Sequence, residues 1–108
     1  MPDTEYLLRR LIAGDESAAA DVLDRARSGG SPALLVAAAL VSPEPHDYLS
    51  RAAATAVTSR DRQLVAIAGA HLAGQEDLFD ALVRDHLSDY PDNVLAAWIA
   101  GQHTRPNR

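Results

Sequence analysis

Ala33-Leu34-Leu35-Val36-Ala37-Ala38-Ala39-Leu40-Val41 contains no polar side chain, and the stretch from Leu64 to about residue 73 is interrupted chiefly by His71. Neither stretch alternates polar and apolar positions, and helix signals bound both, so each reads as a helix without a wet face. A helix of that kind is normally covered on every side. Both stretches fall far short of the roughly 20 residues that cross a bilayer, so the cover must come from protein. This requirement points to a packed assembly of helices.

Turn signals cut the rest of the chain into pieces that fit such an assembly. Gly14, Gly29-Gly30, Ser42-Pro43-Glu44-Pro45, Gly74 and Pro91-Asp92 separate segments with helical periodicity. The spacing predicts helices over about 4–13, 16–27, 32–41, 46–58, 59–73, 76–89 and a seventh from about 93 to Gly101. Asp15 suits the start of the second, Ser31-Pro32 that of the third, and Ser59 or Asp61 that of the fifth. The second, fourth and sixth are amphipathic, as an outer layer should be. Asp21 and Arg25 are placed to pair on the second. On the fourth, Tyr48, Leu49, Ala52, Ala53, Ala56 and Val57 form the apolar stripe. Leu78, Phe79, Leu82, Val83 and Leu87 form it on the sixth, with Asp77, Asp80, Arg84 and Asp85 opposite.

The punctuation recurs. Gly14 and Gly74 are 60 residues apart, and Pro32 and Pro91 are 59 apart. Leu11-Ile12-Ala13-Gly14-Asp15-Glu16 matches His71-Leu72-Ala73-Gly74-Gln75-Glu76, and Leu34-Leu35-Val36-Ala37-Ala38 matches Asn93-Val94-Leu95-Ala96-Ala97. A period near 30 built from helix pairs is the mark of an α-solenoid. The expected fold is all-α: seven short antiparallel helices, as three helical hairpins and a closing helix. Residues 1–102 form one domain in this reading. Residues 103–108 carry no apolar side chain and read as a flexible tail.

On these residues the chain resembles the tetratricopeptide-repeat family, best over 61–102 and more weakly over 4–41. Gly74 stands where the family has the glycine between the two helices of a repeat, and Pro91-Asp92-Asn93 where it has the closing proline turn. Gln63 and Ala70 stand near the places of the family's large aromatics, and Pro43 and Pro45 replace a glycine turn in the middle repeat. The resemblance implies an α-α superhelix with a concave, peptide-binding face. It does not imply a carboxylate clamp, because Leu64, Ala68 and His71 occupy the stretch where basic and amide side chains would stand.

Composition narrows the functional classes. The chain of 108 residues has no cysteine, which removes disulfides, thiolate metal sites and a cysteine nucleophile. All ten basic residues are arginine, and alanine is abundant, a bias that GC-rich bacterial-type coding produces and that favours helix. With 15 acidic residues the net charge is −5, so nucleic acid is not an expected partner. Residues 1–5 lack the basic start of a secretory signal, which makes a cytoplasmic location the default, with no membrane partner. His46, His71, His86 and His103 lie on separate segments, no two at i,i+3 or i,i+4, so no metal or other cofactor is expected. Asp85 and Asp89 beside His86, on the wet stripe of the sixth helix, read as solvated. No nucleophile elbow or phosphate loop occurs, and no catalytic residue is assigned.

The concave side of the inner helices is the candidate site. Leu35, Ala38, Leu64, Ala68, His71 and Leu95 would line an apolar groove, with Trp98, the single tryptophan, as anchor or as the end of the core. Covering ~600 Å² of such surface is worth about 15 kcal/mol before the costs of association. The expected function is a non-catalytic helical-repeat module that binds a helical or peptide partner, or a second copy of itself. The alternative is that the terminal helices cap the groove, leaving a self-contained bundle that serves as an accessory or regulatory domain. A helical enzyme or ligand carrier would instead need an enclosed pocket with converging polar groups.

Overall fold

Local chemistry sets where each helix begins and ends. The computed structural model describes residues 4–103, which form seven helices and no strand: α1 Thr4–Ile12, α2 Glu16–Arg27, α3 Pro32–Val41, α4 Pro45–Thr55, α5 Ser59–Ala73, α6 Glu76–Asp89 and α7 Val94–His103. The Asp15 carboxylate accepts the Ser17 N–H at 3.0 Å, and the Ser31 hydroxyl accepts that of Leu34 at 3.3 Å, each satisfying a donor the helix leaves open. Gly14 and Gly74 take positive φ, +92° and +71°. In both turns the next residue bonds back five positions, Asp15 N–H to Arg10 and Gln75 N–H to Ala70, each at 3.0 Å. These are two copies of one helix ending that glycine adopts without steric cost.

Several boundaries and pairings differ from the sequence reading. α4 stops at Thr55, whose hydroxyl bonds the Arg51 and Ala52 carbonyls, and it begins at Pro45. Val57 therefore leaves the inner stripe and is 75% exposed, and Ala53 is exposed too. Thr58, rather than Ser59 or Asp61, caps α5 and accepts the Asp61 N–H at 3.1 Å. Asp21 pairs with Arg10 at 3.0 Å instead of with Arg25. Leu78 is exposed, although Phe79 beside it is buried. His103 belongs to α7, while residues 104–108 of the expected tail, and 1–3 of the N-terminal stretch, lie outside the described residues.

Each helix contacts the next, and the odd helices also contact one another, α1 with α3, α3 with α5, and α5 with α7. α1 also meets α7, so the odd helices close on themselves. The core draws Leu7 and Leu11 from α1, Leu34 to Ala38 from α3, Ile67 and Ala68 from α5, and Ile99 from α7. The radius of gyration, 12.9 Å, is that of a compact domain of this size, about 13 Å for 100 residues. No described helix is long and apolar enough to cross a membrane.

Two arginines tie the even helices in. Arg10 of α1 reaches Asp15 at 2.9 Å and the Ser17 hydroxyl at 2.7 Å as well as Asp21, joining α1 to the start of α2. Arg51 of α4 donates to the Ala26 carbonyl at the end of α2, where a cation also complements the helix dipole. Arg51 is half-buried.

Ile67 is fully buried on α5, the helix that touches α3, α4, α6 and α7. Ile67→Ala should cost about 2–5 kcal/mol of stability in urea unfolding, because its cavity is walled by several helices. Leu72→Ala, on the same helix but more than a third exposed, should cost less than about 1 kcal/mol.

Candidate functional site

The concave groove expected from sequence is occupied by the chain itself. Leu35, Ala38 and Ala68 are buried in the core, and Leu64 and Leu95 keep only a sliver of surface, where they back a cleft at the end of the bundle. α3 is in contact with α1, α2, α4 and α5, and α5 with α3, α4, α6 and α7, so both helices are surrounded by their own chain. His71 and Trp98 are half-buried. With Leu40 and Ile99 they line a cavity of only about 80 Å³, and the His71 ring packs on Phe79 with centroids 5.7 Å apart. Trp98 packs against the core rather than standing free as an anchor.

The larger opening lies at one end of the ring, where α3, α5 and α7 begin. It is a cleft of about 540 Å³. Leu8, Ala33, Leu64 and Leu95 give it an apolar lining, and Thr58, Arg60, Asp61, Asp92 and Asn93 supply polar groups. Val94, also in the lining, is 47% exposed, and Val57 adjoins Thr58 in sequence. Arg60 carries its guanidinium over the Tyr90 ring, 5.7 Å from the centroid, a cation–π contact that fixes the charge beside the cleft.

Behind the cleft is a buried polar chain. Asn93 caps α7, its side-chain oxygen facing the Ala96 N–H at 3.4 Å, which turns the amide nitrogen toward His86 Nε2 at 2.9 Å. Nε2 must then accept, so the proton of the neutral ring sits on Nδ1 and is donated to Gln63 Oε1 at 2.8 Å. Three elements are joined this way: α5 by Gln63, α6 by His86 and the start of α7 by Asn93. The His86 pKa is held below the ordinary histidine value, first by burial and then by the nearby Arg60 charge, with Asp89 opposing.

The bonded role of His86 between Gln63 and Asn93 is what the sequence did not reveal. The residue stands beside Asp85 and Asp89, which are exposed, yet it is itself 0% exposed. The signal was present: His86 is seven residues after Phe79, so the two share the buried face of α6. Neither Asp85 nor Asp89 converges with it on a shared proton, since both ring nitrogens are taken by neutral amides. Among the described residues no group of three metal-binding side chains comes together.

No known family model, curated protein or solved structure matches this chain.

Because the folded pKa of His86 lies below the unfolded value near 6.5, the unfolded chain takes up the proton first. Its contribution to stability is full above that value and falls as pH drops through it toward the folded pKa. The urea midpoint should therefore fall between pH 7.5 and pH 5, and His86→Gln should flatten that slope. Asp15, held below the ordinary carboxylate value by the Ser17 hydroxyl and then by Arg10, acts in a separate window. Its contribution is lost only as pH falls below about 3.8.

Proposed function

We propose that the chain is a small non-catalytic helical module, tetratricopeptide-like in its repeats, that works by binding another protein. We place the contact at the cleft between the starts of α5 and α7. The observation that carries this reading is the cleft's make-up: about 540 Å³, a nearly buried apolar floor that includes Leu64 and Leu95, the half-exposed Val94, and charges from Arg60 and Asp61 of α5 and from Asp92 before α7. Apolar surface ringed by fixed charges is the usual composition of a protein contact, where the apolar part supplies affinity and the charges supply register. The non-catalytic part of the reading is supported by His86, the buried titratable group nearest the cleft, whose two ring nitrogens are both spent on structural bonds.

A second reading is favoured by the closed ring of odd helices. A bundle that covers its own apolar faces is suited to act as a self-contained accessory or regulatory domain, touching its partner only through surface charge. The two readings differ in where a partner sits.

Peptides selected by display against the folded protein should, on titration into ¹⁵N-labelled chain, move the amides of residues 58–64 and 93–95. Val94→Glu places an acid at a helix start, where it is compatible with the dipole, so the fold should hold. Binding should weaken at least about tenfold, the size of losing one well-placed apolar contact. Peptides that move the α2 and α4 amides instead, or that bind Val94→Glu equally well, favour the second reading.

A further inference from the structure

The Gln63–His86–Asn93 chain has a polarity that one proton reverses. With the imidazole neutral, every bond in it is satisfied in one direction: Asn93 nitrogen donates to Nε2, and Nδ1 donates to Gln63. Add a proton to Nε2, and two donors face each other across 2.9 Å in a site closed to water. The Asn93 amide can accept from the protonated ring only by turning over, which withdraws its oxygen from the Ala96 N–H at the first turn of α7. Asn93 and Leu95 also line the cleft, so what loosens this turn loosens the cleft wall.

The surroundings give the protonated ring little alternative. Arg60 of α5 faces His86 and opposes a second positive charge, while Asp89, one turn along α6, favours it from an exposed position. Tyr90 packs its ring against the imidazole at 5.1 Å, and Gln63 is neutral. The turn before α7 brings neutral Asn93, with exposed Asp92 adjoining it in sequence. Among the described residues no carboxylate is hydrogen-bonded to either ring nitrogen, so the charge is favoured only from a distance, by Asp89.

We propose that His86 is a proton-operated latch on the cleft: the neutral ring holds Asn93 as the cap of α7, and protonation at Nε2 releases that cap and the wall it supports. The regulatory meaning rests on the cleft being the working surface; the latch itself does not. Acid would then open or reshape the α6–α7 turn while α3 stays packed. Partner binding, where it occurs, would weaken over the same interval in which the ring titrates.

The test is residue-resolved amide hydrogen exchange between pH 7.5 and 5, corrected for the intrinsic pH dependence, alongside NMR titration of the His86 ring. Relative to amides in α3, protection at Ala96 and Ala97 should drop about tenfold as the ring gains its proton, the effect expected of losing a buried hydrogen bond. His86→Gln should abolish that drop. If that variant does not fold, Asn93→Asp serves: its carboxylate caps α7 and accepts from the protonated ring, so the His86 pKa should rise and protection should persist at pH 5. Unchanged protection at Ala96 and Ala97 while the ring titrates would overturn the latch, as would an Asn93→Asp pKa equal to or below that of the parent. Failure of peptide binding at the cleft would leave these readings untouched, so the two proposals fail separately.

Discussion

The need to cover α3 on every side is the constraint on which the rest of the structure depends. α3 has no side that can face water: Leu34 through Ala39 are all buried, and α2 and α4 alone cannot surround it. α1 and α5 complete its cover, and α7 completes that of α5. Closing the ring turns an array that could have been open-ended into a domain with an interior. At the end of the ring, half-exposed Val94 stands beside Arg60, Asp61 and Asp92 over a nearly buried apolar floor of Leu64 and Leu95.

Much of this order was legible in the residues. The limits of α3 follow from Ser31-Pro32 and Ser42-Pro43, which act through backbone chemistry whatever the tertiary setting. The likeness of the strings around Gly14 and Gly74 corresponds to one shared helix ending with the same pair of backbone bonds. The end of α4 was harder, since Ala56-Val57 carries no glycine or proline and the stop is made by Thr55 bonding back into its own helix.

The site was less legible, for two different reasons. Ring closure depends on the angles accumulated over seven helices, a sum that no local window encodes; Leu35, Ala38 and Ala68 therefore read equally well as groove or as core. His86 is a different case. Its neighbours Asp85 and Asp89 gave it the look of a solvated residue, but a helix face is set by spacing, and the seven-residue step from Phe79 puts it inside. A buried polar group is tolerated when its bonds are complete, and Gln63 and Asn93 complete them. Among the described residues no buried side-chain polar atom lacks a partner.

The closure of the ring is open to one direct measurement, native-state hydrogen exchange of the α3 backbone amides as a function of low urea concentration. If α1 and α7 seal the interior, the amides of the last two turns of α3 should exchange only through global unfolding, with the free energy and urea dependence of the whole-domain transition. Exchange of those amides through a smaller opening, nearly independent of urea and well below the global free energy, would mean that the concave face is open in solution and would contradict the account.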